Sequence, residues 1–190
     1  MRVAVLCEES QVVCKAFRER GYEAYSNDLL PCSGGHPEWH LQMDCFDALH
    51  SRAWDLIIMH PPCTAIAVSG NSTYAGTQER KDAADWTCNL FQVATMHCDR
   101  VAMENPVGVL NTHHPILPKP QYIQPWQFGH GETKKTGLWL YGLPELKPTN
   151  IVEGREQKVW KMGPSPERSK LRSKTYKGIA EAMAEQWTKL

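Results

Sequence analysis

Residues 54–64 read Trp54-Asp55-Leu56-Ile57-Ile58-Met59-His60-Pro61-Pro62-Cys63-Thr64, and this stretch decides the fold. An apolar run that stops at two prolines is typical of a strand buried on both faces of a parallel sheet. Proline fixes its own φ and restricts the residue before it, so the turn after the strand is stiff and extended. We expect a cysteine in this position to be presented to the cleft that borders the strand end.

Strands and helices alternate on both sides of this stretch. Before it, the sequence predicts strands over Arg2–Cys7 and Tyr22–Ser26, with a helix between them that Ser10 caps and Gly21 ends. After it, a helix is predicted over Gln78–Cys98 and a strand over Arg100–Met103. This rhythm favours an α/β fold: a doubly wound, Rossmann-like and mostly parallel sheet.

A length of 190 residues corresponds to one domain, and the sequence indicates no internal boundary. The strand–helix alternation fills residues 1–110. In residues 111–190 we expect two further strands, a basic loop and a closing helix. The predicted elements of this second part are strands over Trp126–His130 and Gly137–Gly142, a loop over 144–174, and a helix over Tyr176–Trp187 with Ile179, Met183 and Trp187 on one face.

Composition favours a soluble protein of the cytoplasm that does not contact the membrane. Hydrophobic residues make up 42% and charged residues 22% of the chain, and no apolar run is long enough to cross a membrane. The first residues lead directly into a strand pattern without a cleavable leader. The cysteines number seven, an odd count, and are scattered, so we expect free thiols rather than a disulfide framework.

Charge is distributed unevenly, although the net charge is zero. Residues 1–117 carry 8 Lys+Arg against 14 Asp+Glu, and residues 118–190 carry 13 against 7. Nine of these cations lie between Lys147 and Lys177. Such a segment is able to neutralise phosphates, but it is equally compatible with an ordinary solvated stretch.

Polar and reactive residues follow the predicted strands. Glu8 follows the first strand, Asp28 the second, Cys63 the third, and Glu104 with Asn105 the fourth. In open α/β sheets, ligands bind outside the carboxyl ends of the strands. The sequence therefore predicts a functional site at this edge of the sheet.

Two of these strand ends resemble the DNA cytosine-C5 methyltransferase family. Pro61-Pro62-Cys63 is followed about forty residues later by Glu104-Asn105-Pro106, and each motif comes after an apolar strand. That family carries a Pro-Cys motif and a Glu-Asn-Val motif at neighbouring strand ends. The resemblance implies that Cys63 is the nucleophile, that Glu104 grips the base, and that Asn105 supports the geometry.

The chemistry explains why a thiol and a carboxyl group are needed together. Carbon 5 of cytosine is a poor nucleophile until a thiolate adds to carbon 6 and produces an enamine-like intermediate. A carboxyl group at ring nitrogen 3 and the exocyclic amine stabilises that addition. Carbon 5 then accepts a methyl group, and the resemblance implies S-adenosylmethionine as its donor.

The predicted cofactor contacts also come from the resemblance. Asp28 stands where an acidic residue would bind the ribose hydroxyls, and Asp44 resembles the acid of the family's Gly-Asp motif. Glu8, Ser10 and Pro61 are further predicted contacts. The first loop departs from the family, which has a Phe-x-Gly-x-Gly turn there. This chain has Cys7-Glu8-Glu9-Ser10-Gln11, without a glycine.

Residues 124–136 and 172–180 are similar to segments of a compact branch of phage and bacterial methyltransferase-like proteins, and this resemblance covers nearly the whole chain. It implies that Gln127 and His130 line the cytosine pocket and that Ser173 and Thr175 close over the cofactor. Trp160, in the basic loop, is a predicted stacking or wedge residue. The aromatic residues of 124–136 are equally compatible with core packing.

Four other residues have side chains of the type that bind zinc: Cys32, His36, His40 and Cys45. Their spacing, Cys-x3-His-x3-His-x4-Cys, is not a common finger pattern, and Asp44 beside them is assigned to the cofactor. We therefore expect no metal at this site.

Several functions stay open at this point. The chain has no room for the target-recognition domain of larger enzymes, which indicates weak sequence selectivity on DNA or a protein partner for targeting. Methylation of a free cytosine nucleotide is a second enzymatic reading. A catalytically silent decoy, which binds DNA or a host protein, is a third hypothesis and is motivated by the glycine-free first loop.

Overall fold

The described part of the protein contains a single seven-stranded sheet. A computed structural model describes residues 1–113, 116–158 and 172–189. Its strand order is β3-β2-β1-β4-β5-β7-β6. The strands are β1 (Arg2–Leu6), β2 (Glu23–Asp28), β3 (His40–Gln42), β4 (Leu56–Met59), β5 (Val101–Pro106), β6 (Gln121–Ile123) and β7 (Thr136–Tyr141). β1 to β5 are parallel, whereas β7 runs antiparallel to both β5 and β6.

Helices cover both faces of the sheet. They are α1 (Val12–Arg18), α2 (Cys45–His50), α3 (Asn71–Tyr74), α4 (Gln78–His97), α5 (Leu110–His113) and α6 (Lys177–Gln186), with short 3-10 turns at Pro37–Trp39, Val68–Gly70 and Pro125–Gln127. None of the helices in these ranges combines the length and apolarity needed to cross a bilayer.

Two hydrophobic cores follow from the alternation of side chains along the strands. On one face, Val3 and Val5 of β1 pack with α1 and α6. On the other face, Ala4 and Leu6 pack with α2 and α4. Trp187 is fully buried in the first core, so the C-terminal helix is part of the domain. A sheet covered in this way confirms the predicted doubly wound α/β fold.

The site lies where the strand order reverses. The chain builds β1, β2 and β3 toward one edge and then returns to place β4 beside β1. Beyond the end of β4, the backbone N–H of His60 still bonds to the carbonyl of Leu6 at 2.9 Å. Ligands of doubly wound sheets bind at this switch point, between the carboxyl ends of the two central strands.

Most predicted elements are present with boundaries shifted by a few residues, and Ile179, Met183 and Trp187 are all buried as expected. β3 and α2 were not predicted. The strand predicted over Trp126–His130 is wrong: Pro125 opens a 3-10 turn there, and the strand of this region is β6. The predicted Ser10 cap is also wrong, because Gln11 is the N-cap of α1.

Candidate active site

The turn after β4 and the last residues of β5 meet at the centre of the site. Met59 of β4 pairs with Met103 of β5, so the turn that starts at His60 lies beside Glu104 and Asn105, which are still paired with β7. Asn105 is 1% exposed, and its Nδ2 donates a hydrogen bond to the carbonyl of Pro61 at 3.1 Å. This buried bond fastens the Glu104-Asn105 strand end to the turn that carries Cys63.

His60 and Glu104 form a buried pair in this turn region. The ring Nδ1 of His60 lies 2.8 Å from Oε2 of Glu104, and each side chain is 9% exposed. Burial alone would raise the pKa of the Glu104 carboxyl, but the hydrogen bond from His60 and the charges of Lys134 and His60 outweigh it. The pKa of Glu104 is therefore below its ordinary value, which favours the carboxylate.

Cys63 is half-buried beside this pair. Burial raises the pKa of its thiol, and the negative charge of Glu104 raises it further. The nearby cations Lys134 and Arg172 act in the opposite direction. In the free protein, burial and Glu104 therefore favour the protonated thiol. Lys134 and Arg172 are the cations that favour the thiolate.

A network around Arg80 holds the loop that follows Cys63. The Arg80 guanidinium donates to the carbonyl of Ala65 at 2.7 Å, to the carbonyl of Ala67 at 3.3 Å and to Oδ1 of Asn71 at 2.7 Å. The loop after β5 packs against the same segment so closely that a Cβ on Gly108 would lie 2.1 Å from the carbonyl oxygen of Ile66. Glycine is required there, because no side chain fits.

The first loop adopts left-handed backbone conformations without glycine. Cys7 has a φ of 57° and Gln11 a φ of 58°. Glu8 is buried, and its two carboxylate oxygens accept the backbone N–H groups of Val13 at 2.6 Å and Cys14 at 3.2 Å. These bonds cap α1 and take the role that the sequence assigned to Ser10. A contact of Glu8 or Ser10 with the cofactor stays a prediction.

Gln11 ties the first loop to the loop after β2. Its Nε2 donates to Oγ of Ser26 at 3.1 Å and to the carbonyl of His36 at 2.8 Å, and its Oε1 accepts the N–H of His36 at 3.1 Å. Gly34 approaches the Gln11 side chain so closely that a Cβ there would lie 2.5 Å from the Gln11 Cβ. The two loops therefore form one packed unit.

The predicted cofactor acids lie near one another. The pKa of the Cys7 thiol is raised by its hydrogen bond with Cys45 and by burial, and the negative charges of Asp28 and Asp44 add to the effect. Asp44 also caps α2, because its Oδ1 accepts the N–H of Phe46 at 2.8 Å. Both acids thus reach the surroundings of Cys7, at the carboxyl ends of the first strands.

Exposed apolar side chains stand beside these acids. Leu29 and Leu30, directly after Asp28, are 69% and 61% exposed, and Met43 is 37% exposed. An acidic acceptor next to exposed apolar groups fits a ligand with ribose hydroxyls and a flat base. The acidic acceptor and the apolar side chains in this part of the cleft are the kinds of group that S-adenosylmethionine needs for its ribose and its base. Pro61, another predicted contact, is buried, and its carbonyl already accepts a bond from Asn105.

The two predicted pocket residues of the second half have local structural contacts. Oε1 of Gln127 accepts the N–H of Gln124 at 2.7 Å. Nε2 of His130 accepts the N–H of Gly178, near the start of α6, at 3.0 Å, and the His130 ring lies against Tyr176. Their role in substrate binding stays a prediction. Lys134, from the same segment, was not singled out by the sequence, although its charge acts on both Cys63 and Glu104.

Ser173 and Thr175 follow Arg172 at the edge of the site, where Ser173 is exposed and Thr175 half-buried. Arg172 acts on the Cys63 thiol, which places this segment near the nucleophile. Closure of Ser173 and Thr175 over a cofactor stays a prediction. Trp160 lies outside the described residues.

Part of the basic segment is engaged within the protein. Lys158 lies 3.0 Å from Glu132 and 3.6 Å from Glu156. The Arg155 guanidinium stacks over the ring of Trp126 at 4.0 Å. Residues 144–158 are therefore held against the rest of the domain. Lys158 and Arg155 already contact protein groups when no phosphate is bound.

The four residues considered for zinc have other contacts or lie apart, and the described ranges contain no cluster of three or more metal-ligand side chains. The His36 ring stacks on Trp39 at 3.7 Å. His40 bonds to Oγ of Ser26 through Nδ1 at 2.8 Å and to the carbonyl of Leu30 through Nε2 at 2.9 Å.

Comparison with solved structures identifies the fold. A proposed DNA modification methyltransferase encoded within an E. coli prophage matches with a TM-score of 0.54 and 12% identity, over 86% of this chain and 55% of that chain. The methyltransferase EhMeth of Entamoeba histolytica also matches with a TM-score of 0.54 and 12% identity, over 80% of this chain and 57% of that chain. In sequence, no family model and no curated protein matches.

These similarities show that the chain has a Rossmann-like methyltransferase fold, with the mostly parallel sheet that the sequence predicts. The chain spans somewhat more than half of the length of the two solved proteins. Among the residues that sequence reasoning left without a role, His60 and Lys134 are the two that act on Glu104. The position of His60 directly before Pro61-Pro62-Cys63 is the one signal that pointed toward it.

Proposed function

We propose that the protein transfers a methyl group from S-adenosylmethionine to carbon 5 of cytosine in DNA, with Cys63 as nucleophile. The observation that carries the proposal is the junction of Cys63 and Glu104 at adjacent strand ends, fastened by the bond between Asn105 and the Pro61 carbonyl. This junction lies at the ends of β4 and β5, next to the switch point between β1 and β4, in a methyltransferase fold. A thiol and a buried carboxylate are the two groups that cytosine activation needs.

Cys63 performs the covalent step of the proposed reaction. Its thiolate sulfur forms a bond to carbon 6, the carbon 5–carbon 6 double bond opens, and electron density moves to carbon 5 and to the ring nitrogen. A proton held between the Glu104 carboxyl group and ring nitrogen 3, equivalent to the one that the Cys63 thiol gives up, stabilises that density, because an ionised carboxylate alone would repel it. Carbon 5 then accepts the methyl group that the donor would supply, as the bond of that group to the donor sulfur breaks. Finally the proton on carbon 5 leaves to a base, the sulfur–carbon 6 bond breaks and the carbon 5–carbon 6 double bond re-forms.

The protonation state of Cys63 has to change for this step. Burial and the Glu104 carboxylate raise the pKa of the thiol in the free protein, whereas Lys134 and Arg172 lower it. A base that engages Glu104 disperses its charge, which removes one of the two effects that disfavour the thiolate. We therefore expect the nucleophile to form with the substrate in place.

Residues on the opposite side of the cleft would hold the cofactor. Asp28 is the proposed partner of the ribose hydroxyls, while Leu29, Leu30 and Met43 offer apolar contact to the base. The other proposed contacts are those that the resemblance implies: Glu8, Ser10, Asp44, Pro61, Ser173 and Thr175. When bound there, S-adenosylmethionine would supply an electrophilic methyl group.

A cofactor titration by calorimetry tests this part of the proposal. We expect binding that weakens at least about tenfold in Asp28→Ala, since a charged hydrogen bond contributes about 1.5–3 kcal/mol. A protein that shows no binding at millimolar cofactor would contradict any methyl transfer and leave the silent decoy.

DNA is the proposed substrate, and the cations of the second half support it. Lys134 and Arg172 act on the Cys63 thiol, so a negatively charged backbone is favoured near the nucleophile. The reaction would either be weakly selective for sequence or depend on a protein partner for targeting. Methylation of a free cytosine nucleotide is the second candidate, favoured by the zero net charge, which provides no whole-protein attraction to DNA.

Methyl transfer from a tritiated donor is the direct test. Duplex DNA, single-stranded DNA and dCMP are compared as acceptors, and we expect label in DNA. Cys63→Ser should abolish transfer, while Cys32→Ser, the same change at another half-buried thiol, should retain it. Turnover by Cys63→Ser would show that another group is the nucleophile, and label in dCMP alone would replace DNA by the free nucleotide.

A trapping experiment tests the covalent step separately. DNA that contains 5-fluorocytosine blocks the loss of the substituent at carbon 5, so the sulfur–carbon 6 bond persists after methyl transfer. We expect a denaturation-resistant complex with the wild-type protein and with Cys32→Ser, and no complex with Cys63→Ser. Methylation without a trapped complex would contradict the thiol mechanism.

A further inference from the structure

The direction of the hydrogen bond between His60 and Glu104 follows from elementary chemistry. A carboxylate only accepts hydrogen bonds, so the 2.8 Å contact requires a proton on Nδ1 of His60. The other ring nitrogen, Nε2, is buried and has no hydrogen-bond partner within the described ranges. His60 therefore donates to Glu104 through Nδ1, while its buried Nε2 has no partner in the described part of the protein.

The pair stands between the nucleophile and the first loop. From β5, Glu104 faces both His60 and the Cys63 thiol. From the loop after β1, the buried Glu8 carboxyl faces His60, whose charge acts on it. From the second half, Lys134 faces Glu104 and Cys63, and Arg172 faces Cys63.

We propose that His60 is a positioning residue that fixes the Glu104 carboxylate through the Nδ1–Oε2 bond and thereby keeps the Cys63 thiol protonated until a base engages Glu104. The inference rests on the proposed function for its purpose, because it assigns Glu104 to the base. Its physical content concerns three side chains of the free protein. Such a device limits alkylation and oxidation of the nucleophile in the absence of substrate.

Two steps link His60 to Cys63. Loss of the Nδ1–Oε2 hydrogen bond raises the pKa of Glu104, since that bond is the first of the effects that hold it down. A protonated Glu104 no longer disfavours a neighbouring thiolate, so the pKa of Cys63 then falls. Replacement of His60 is therefore expected to make Cys63 more reactive at mildly acidic pH, which a purely structural histidine would not do.

The reactivity of Cys63 is measured without any methyl transfer. Iodoacetamide alkylates the thiol at pH values from 5.5 to 9, and mass spectrometry of the Cys63 peptide gives the rate. Glu104→Gln removes the charge and keeps the shape. It should speed Cys63 alkylation at least about threefold near pH 7.5, since one pKa unit is about a tenfold change in thiolate. His60→Phe keeps a ring in the same place but removes the Nδ1 donor. It should speed the reaction at least about twofold near pH 6 and approach wild type near pH 9.

Two controls separate charge from damage to the fold. Lys134→Met should slow the reaction, because the removed cation favours the thiolate. Alkylation of Cys32, a half-buried thiol in the loop after β2, should be unchanged in all variants. If His60→Phe does not fold, the nitrogen chemical shifts of His60 in the wild-type protein report its tautomer, and Nδ1 must carry the proton.

The outcomes are distinct. A His60→Phe profile equal to wild type beside a faster Glu104→Gln would make His60 structural only and overturn the inference. An Nδ1 without a proton would overturn it as well. A wild-type protein that shows the expected alkylation pattern but methylates no cytosine would overturn the proposed function and leave the link between the three side chains intact.

Discussion

The buried bond between Asn105 and the Pro61 carbonyl provides a test of how the site is held together. Asn105→Ala leaves that carbonyl buried and unpaired, which costs about 1–3 kcal/mol. The side chain is 1% exposed, so water cannot readily replace the lost donor. For a chain of this length we expect the melting temperature to fall by about 2–12 °C, at about 2–4 °C per kcal/mol.

Urea denaturation followed by circular dichroism measures the loss of stability. Asn89→Ala, on the exposed side of α4, is the matched control and should stay within about 0.5 kcal/mol of wild type. Methyl transfer should fall more in Asn105→Ala than the folded fraction does, because the turn that presents Cys63 loses its anchor. A stability equal to that of Asn89→Ala would refute the role assigned to this bond.

Three further changes test other parts of the structure. The pKa of Glu8 is raised to about 6 by burial. The stability that this carboxyl group adds to the folded protein is therefore present below pH 4.5 and lost as the pH rises through 6. The free energy of unfolding of the wild-type protein, measured relative to that of Glu8→Gln, should therefore fall by about 2 kcal/mol as the pH rises from below 4.5 to above 6. Arg80→Met should cost about 1–3 kcal/mol and expose the loop after Cys63 to protease, unlike exposed Lys81→Met. Trp187→Ala should cost about 3–5 kcal/mol by denaturant unfolding, whereas Trp86→Ala, 36% exposed, should cost less than about 1.5.

The position of the site was predictable because its strands are fully buried. The apolar runs before Pro61 and Glu104 have no polar face, which is typical of central parallel strands. Once the sheet is parallel, their carboxyl ends fall on the same edge. The sequence did not establish that β4 and β5 are neighbours; the resemblance supplied that pairing.

The partners within the site were not predictable from the sequence. His60 and Glu104 are 44 positions apart, and only the pairing of β4 with β5 brings them to 2.8 Å. Lys134 reaches the same cleft from the turn before β7. A residue type alone predicts neither contact, because tertiary packing determines which of several histidines and lysines meets a carboxylate.

The elements that were missed or misplaced share a physical cause. β3 and α2 contain only three and six residues, too few to show a clear period. Around Trp126, aromatic residues favour a strand, but Pro125 fixes a turn, and Gln127 stabilises it through its bond to the N–H of Gln124. Turn chemistry prevails over strand propensity there.

The first loop shows how a departure from a sequence motif relates to conformation. Left-handed backbone costs a residue with a side chain about 1–2 kcal/mol, which is the reason for glycine in such turns. Here Cys7 and Gln11 adopt it, and the Gln11 amide forms three hydrogen bonds that offset the cost. The left-handed backbone that glycine favours is thus present at Gln11, the position of the second glycine of the motif. The glycine-free loop is therefore a weak argument for a silent decoy, and cofactor affinity should depend instead on how firmly Gln11 holds the loop after β2 against the first loop.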